Sequence, residues 1–433
     1  MPSRRAFLGV AGAGLASLAG CTSLPAGPTE GITYARTKQV EIPSVPRPAE
    51  PTDAHVLARR SHLDGLVTAA EPLFERAGEA DLGESNYRDC AIGVESVRDF
   101  LEESADDPAS MDVGFAKSRV RYAGDALGFL RSWYGLATPE TAFERVRAAR
   151  RELADATASM PRDCADPATY LARIGWAERM LSLAYVGIDQ YGDAPPEFGT
   201  GEDATRERTA SAVGRLYRQA AKATGFVLDG RYVARAYAAG RPAETTDFAG
   251  ALERNRTELL RRATERAPEP ETSDERADDY DDPVVNAYVR RAGNPAGHGR
   301  ESLSRAERRA GDGRLALAAI DAARANCYLA GYERVFDELD PETLRGGVAA
   351  GDLFAEKRAT VRSVREALHG EDPLHAWLAS EPARLLYSGE VYLDDADVNS
   401  AAVGRAVCLN FFRHARGYAE ELASVVETLE RRE

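Results

Sequence analysis

Ala54-His-Val-Leu-Ala-Arg-Arg-Ser-His-Leu-Asp-Gly-Leu-Val-Thr-Ala-Ala-Glu-Pro-Leu-Phe-Glu-Arg-Ala-Gly-Glu-Ala80 is the stretch that decides the fold class. Val56, Leu57, Leu63, Leu66, Val67, Leu73 and Phe74 recur at spacings of three, four and seven, the period of one helical face, with charged residues between them. Asn86 to Glu103 repeats the pattern through Ile92, Val94, Val97 and Leu101. Further helical runs cover Val113 to Leu136, Pro139 to Met160, Pro167 to Tyr191, Ala204 to Ala239 and Phe248 to Ala267. The last runs are Pro283 to Arg291, Leu303 to Leu339, Glu342 to Leu368, Leu374 to Leu386 and Ser400 to Glu430. Only Phe226-Val-Leu and Glu390-Val-Tyr-Leu hint at extended backbone. The chain reads as all-α, a multi-helix bundle.

Helix starts are marked by a capping side chain followed by proline: Thr138-Pro139, Asp166-Pro167, Asp282-Pro283, Asp340-Pro341 and Asp372-Pro373. Three short strings recur in the same order about 200 residues apart. Pro139-Glu140-Thr141 returns as Pro341-Glu342-Thr343, and Asp166-Pro167 with Leu171-Ala172 returns as Asp372-Pro373 with Leu378-Ala379. Ala212-Val213-Gly214-Arg215 returns as Ala402-Val403-Gly404-Arg405. Two tandem related helical halves leave such a trace. So does coincidence, because Asp-Pro and Pro-Glu are favoured helix starts anywhere. Between the halves, Pro268 to Pro283 is rich in proline and acid, including the cluster Asp278 to Asp282, and reads as a linker. The expected organisation is 1–21 signal, 22–52 flexible tether, 53–267 first half, 268–300 acidic and Gly/Pro linker region, and 301–433 second half.

The 433 residues carry a formal charge of −15, and of the 55 basic residues only Lys38, Lys117, Lys222 and Lys357 are lysine. An acidic, arginine-over-lysine surface resembles that of haloarchaeal proteins, although a high-GC coding sequence also favours arginine. At molar salt the Debye length is about 3 Å, so self-repulsion in an acidic shell is screened. Without basic runs the chain is not expected to bind nucleic acid.

The N-terminus reads Met1-Pro-Ser-Arg4-Arg5-Ala-Phe7-Leu8, then a Gly/Ala-rich apolar run, then Leu18-Ala19-Gly20-Cys21. This resembles a twin-arginine export signal, carried by Arg4 and Arg5, ending in a lipobox, as on prokaryotic lipoproteins. The resemblance covers these residues alone. It implies export of the folded chain, cleavage before Cys21 and lipid on Cys21, on the extracellular face of the cell membrane. The stretch Ala6 to Gly20 is short of the roughly 20 residues that span a bilayer, and an uncleaved interfacial anchor is the other reading. Removing Arg4 and Arg5 takes the mature charge from −15 to −17. Thr22 to Pro51, rich in Pro, Gly, Ser and Thr, reads as a flexible tether.

Candidate chemistry in the mature part is sparse. Asp395-Ala-Asp397-Val-Asn399 begins like a calcium loop but has Ser400 where glycine is needed and Ala406 where glutamate is needed; Asn399 or Ser400 also serves as a helix cap. His298-Gly-Arg-Glu301 has the H-x-x-E spacing of the imelysin-like helical metal-associated family, but lies in a stretch that reads as a Gly-rich loop, where the pair does not converge on one ion. His369 and His375 flank Glu371 and Asp372, which helix-start chemistry explains. His55 and His62 stand about two turns apart, too far to share an ion. Cys90, Cys164, Cys327 and Cys408 form no C-x-x-C and read as buried free thiols, with pairing left open. Trp133, Tyr134, Trp176, Tyr185 and Trp377 fall on apolar helical faces and read as core. No nucleophile elbow, zincin motif or phosphate loop is present, and no cofactor is implied.

The expectation is a lipid-anchored, non-enzymatic cell-surface protein that binds or scaffolds, with a membrane contact through Cys21 and an envelope protein as partner. The alternative is an envelope enzyme or metal-handling protein with a site between helices.

Overall fold

The five capping residues read before proline all open helices. A computed structural model of the protein describes residues 28–46, 49–107, 111–192, 194, 205–268, 273–368, 372–394 and 401–432. The signal residues Arg4 and Arg5, the lipobox Cys21, the stretch Asp395 to Ser400, and His369 and Glu371 lie outside the described residues. Thr138 forms a reciprocal capping box with Thr141. Asp166, Asp282 and Asp340 accept from backbone amides of their first turns, and Asp372 accepts from the amide of Leu374 at 2.8 Å.

The first half comprises α2 (Asp53–Arg76), α3 (Glu79–Leu82), α4 (Glu84–Glu103), α5 (Val113–Trp133), α6 (Pro139–Ala158), α7 (Pro167–Asp189) and α8 (Arg206–Gly240). The second comprises α9 (Ala249–Arg266), α10 (Ser273–Asp278), α11 (Pro283–Gly311), α12 (Leu315–Asp337), α13 (Pro341–Arg345), α14 (Ala350–Ala367), α15 (Pro373–Asp394) and α16 (Ala401–Glu430). Ahead of both lies α1 (Pro28–Gln39). In the first half α5 packs on α2, α4 and α8, while α8 also packs on α6 and α7. In the second, α12 packs on α9, α11 and α16, while α16 also packs on α14 and α15. The neighbour pattern of the six long helices in each half is therefore repeated, and two tandem halves are realised. On this correspondence α9 opens the second half, so the junction lies between Gly240 and Ala249, upstream of the linker read at 268–300.

Glycines let the central helices of each half touch. A Cβ on Gly128 would stand 2.9 Å from the Cα of Gly214, and one on Gly417 would stand 2.9 Å from the Cα of Gly331. Gly417 thus packs on Gly331 of α12 as Gly214 packs on Gly128 of α5.

Four other expectations are corrected. The Gly-rich stretch around His298 is helix, continuous within α11, because Ala292, Pro295, Ala296 and Gly299 are buried. Gly299 packs so closely that an added Cβ would stand 2.9 Å from Leu329, so packing overrides the poor intrinsic propensity of Gly and Pro. Phe226-Val-Leu and Glu390-Val-Tyr-Leu lie within α8 and α15, where Val227 is buried and Val391 is exposed. The only paired strands among the described residues are the two-residue β1 (Asp163–Cys164) and β2 (Thr246–Asp247), antiparallel, with Asp163 opposite Asp247. Finally, residues 28–39 of the expected tether form α1, docked on α14. The fully buried Lys357 ammonium donates to the carbonyl of Thr37 at 2.7 Å and pairs with Glu390, and this order replaces the freedom that composition suggested.

One apolar cluster fills the first half around Leu63, Leu130 and Phe143, and another the second around Tyr288 and Phe412. A third crosses the junction, joining Leu171 and Ile174 of α7 to Leu317 and Ile320 of α12 and to Trp377 and Leu422. Gly175 of α7 makes this contact possible, for a Cβ there would stand 2.4 Å from Ile320 and 3.0 Å from Trp377. Polar groups cross as well. The Glu178 carboxylate accepts from the amide of Leu317 at 2.7 Å, and Arg314 donates to Ser182 at 3.1 Å. No helix among the described residues is long and apolar enough to cross a membrane.

Candidate functional site

Helices α7 and α15, topological counterparts in the two halves, touch where Gly175 meets Trp377. Beyond that contact they border a cleft of about 480 Å³ floored by α11 and α12. It is lined by five guanidinium groups, from Arg179, Arg305, Arg309, Arg324 and Arg384, against the two carboxylates of Asp321 and Glu381. In a chain of net charge −15 this is a local reversal of sign. Two other cavities differ. One of about 380 Å³ in the first half balances Asp89 and Asp125 with Arg215 and Arg218. One of about 520 Å³ in the second sets Glu338, Asp340, Asp352 and Glu356 against Arg413 and Arg416.

The carboxylates neutralise only part of the arginine charge. Asp321, fully buried on α12, pairs with Arg309 and lies 3.8 Å from Arg324 and 4.0 Å from Arg305. Glu381 accepts from Arg384 at 3.0 Å and from the hydroxyl of Tyr328. Among the described residues Arg179 makes neither a hydrogen bond nor an ion pair, and Glu381 and Asp321 act on it only at longer range. Its guanidinium lies 5.3 Å from the ring of Trp176, and the Arg324 guanidinium lies 5.0 Å from the ring of Trp377. The two indoles meet edge to face at 5.8 Å. The order Arg179, Trp176, Trp377, Arg324 is thus a ladder across the junction, in which π-faces hold both cations and the Asp321 carboxylate also pairs with Arg324. Such contacts contribute about 0.5–2 kcal/mol and leave the charge available to an anion. Burial, and then the neighbouring Arg324, lower the Arg179 pKa to about 10. A negative group arriving beside Arg179 would offset that cost.

The residues singled out from sequence do not gather here, apart from Trp176 and Trp377, whose rings are both core and ladder. Tyr185 is exposed on α7 rather than core. His298 lies 3.9 Å from Glu301, on one helical face after all, since α11 supplies the backbone that the loop reading denied it. Even so, no group of three or more His, Cys, Asp or Glu side chains that could hold a metal occurs among the described residues. The buried His414 ring lies 5.7 Å from Tyr328, and burial and then His298 lower its pKa to about 3. His375 hydrogen-bonds Asp372 at 2.7 Å, completing the cap of α15. His55 and His62 part company: His55 contacts Asp229 at 2.7 Å and His62 contacts the carbonyl of Ala221 at 3.1 Å. Asp229 also holds Arg59 at 2.8 Å and Lys117 at 3.2 Å, a buried cluster that ties α2, α5 and α8. Cys90, Cys164, Cys327 and Cys408 are all buried free thiols.

Residues 54–244 match a domain of unknown function, DUF8262, and residues 245–431 match a second, DUF8264. Their meeting point falls between α8 and α9, where the packing pattern begins again. No curated protein and no solved structure matches the chain.

Proposed function

We propose that this chain is a lipid-anchored cell-surface protein with a binding rather than catalytic role, and that its ligand carries an anionic group held in the arginine cleft. One observation carries the reading: Arg179 and Arg324 face the cleft as cations stacked on indoles, and among the described residues Arg179 forms no ion pair with a carboxylate. A planar guanidinium fork suits phosphate or carboxylate oxygens, and charge-assisted hydrogen bonds of this kind contribute roughly 1.5–3 kcal/mol. The anchor rests on the resemblance of Arg4, Arg5 and Cys21 to an export signal and lipobox, and the intact mass of protein purified from its own membranes tests it. The haloarchaeal reading of the acidic surface belongs to the same proposal.

Calorimetric titration of the mature chain with inorganic phosphate at constant molar salt tests the cleft. Arg179→Ala is expected to weaken binding about 10- to 100-fold, the equivalent of one lost charge-assisted contact at about 1.4 kcal/mol per tenfold. Phosphate affinity equal in parent and variant, or no binding at all, would overturn the assignment.

A further inference from the structure

Of the eight large apolar side chains exposed among the described residues, five stand on the two helices that wall the arginine cleft. Leu183, Tyr185 and Val186 are on α7, and Tyr387 and Val391 are on α15. Val186 is 70% exposed and Tyr387 65% exposed. Leu183 and Val186 line the cleft itself, one turn beyond Arg179 and Ser182. Tyr387 and Val391 follow Arg384 at three and seven residues, so they continue the same face of α15 outward from the cleft. Single apolar residues scattered over a surface need no explanation, but a pair of apolar stripes flanking one cationic site does.

We infer that the cleft takes a free single-chain amphiphilic anion, with a phosphate or carboxylate head and an apolar tail. Resting on the anion-binding reading above, this names the class of ligand. The head lies on the floor between Arg179 and Arg324, and the tail runs out between Leu183 and Val186 on one side and Tyr387 and Val391 on the other. The depth of the floor selects a free molecule over the headgroup of a lipid packed in a bilayer. Asp321 is fully buried, and Arg324 has a side chain only 13% exposed, so a flat membrane surface cannot reach them. The cavity of about 480 Å³ lies within the usual range for small-molecule sites, roughly 300–1,000 Å³.

The test compares inorganic phosphate, butyl phosphate and octyl phosphate on the mature chain by calorimetry. Full burial of a methylene tightens binding about fourfold; on open walls about half of each is covered, which leaves about twofold per methylene. Octyl phosphate is therefore expected to bind about 16-fold tighter than butyl phosphate, which has four fewer methylenes. The double variant Tyr387→Ser with Val391→Ser, both exposed and beyond the residues that line the cleft, is expected to cut that ratio to below about 4 while leaving inorganic phosphate affinity unchanged. An octyl-to-butyl ratio near one with phosphate still bound through Arg179 overturns the amphiphile and leaves the anion site standing. Absence of binding by all three overturns both. Tight binding to vesicles containing an anionic phospholipid, not competed by octyl phosphate, overturns the free amphiphile in favour of a membrane surface.

Discussion

Replacing Glu178 by Gln separates the charge of this side chain from its shape. Glu178 sits on α7, almost wholly buried, and reaches across the junction to the start of α12. Arg314 at the cap of α12 makes no side-chain cap hydrogen bond, so the cap comes from the other half of the chain, through the amides of Ala316 and Leu317. Burial pushes the Glu178 carboxyl up to about 8, outweighing the opposing pull of those amides and of Arg314 and Arg309. In the unfolded chain the same carboxyl has its ordinary value of 4.5. Between about pH 4.5 and pH 8 the folded protein therefore holds a proton that the unfolded chain has released. Stability falls as pH rises through that window, at about 1.4 kcal/mol per pH unit and by up to about 5 kcal/mol in all. Glutamine keeps an oxygen that accepts from Leu317 but cannot ionise. Glu178→Gln should cost no more than about 1 kcal/mol at pH 5 and be more stable than the parent by several kcal/mol at pH 8. Guanidinium unfolding of both proteins at pH 5, 6.5 and 8 in molar salt measures the difference, in which all other titrating groups cancel. A difference that stays constant across the three pH values would refute the reasoning.

Three other outcomes are expected. Gly331→Ala places a Cβ 2.0 Å from the ring of His414 and 2.7 Å from its carbonyl, so α12 and α16 must part, at a cost of about 1–3 kcal/mol. Gly297→Ala, exposed in α11 with open space around it, should instead gain about 0.5–1 kcal/mol; the two unfolding midpoints moving the same way contradicts the packing. Thiol titration of the membrane-purified protein should detect nothing in the native state and four groups in denaturant, since Cys90, Cys164, Cys327 and Cys408 are buried and free. A fifth group, from Cys21, would mean that its sulfur carries no lipid. Lowering salt from molar to about 0.1 M lengthens the Debye length from about 3 to about 10 Å and should lower the melting temperature, whereas indifference to salt contradicts the halophilic reading.

The helices were legible because two local signals coincide in them, apolar period and a capping residue before proline; both act over one or two turns and need no distant partner. The errors came where a distant partner decided. Pro295, Gly297 and Gly299 read as a loop until α12 is laid against Ala292 and Gly299. Thr37 read as tether until the carbonyl meets Lys357, 320 residues further on. The cleft was hidden for the same reason, since Arg179, Arg305, Arg309, Arg324 and Arg384 come from four helices, and only Arg305 and Arg309 are neighbours at helical spacing. One trace was present. Glu178-Arg179 interrupts the apolar run of α7, and Asp321 with Arg324 interrupts that of α12. Charges on helices otherwise apolar all round are seldom buried without a partner: that of Glu178 lies in the opposite half, at Leu317 and Arg314, and those of Asp321 lie on α11 and α12.

That the cleft lies at the junction follows from the way the halves repeat. The halves meet through the N-terminal parts of three helices: α7 offers Gly175 and Trp176, α12 offers Leu317 and Ile320, and α15 offers Trp377. Counterpart helices meeting near one end leave a gap toward the other, and neither half could form that gap alone. The α7 and α15 positions that wall it, Leu183, Val186 and Arg384 among them, are exposed, which is why arginine and apolar side chains can stand there without disturbing either core, while α11 and α12 supply the floor. Closing the junction then costs what burying its charges costs, and the apolar cluster around Ile174, Ile320 and Trp377 offsets that. An anion in the cleft adds to the same balance. It neutralises Arg179 and Arg324 where their repulsion opposes the contact of the halves, so ligand binding and the cohesion of the junction are coupled in sign. Gly175→Ala, which pushes α7 off Ile320 and Trp377, should accordingly weaken phosphate binding as well as stability, although Gly175 touches no ligand. Loss of stability with phosphate affinity intact would show the cleft to be a feature of α11 and α12 alone.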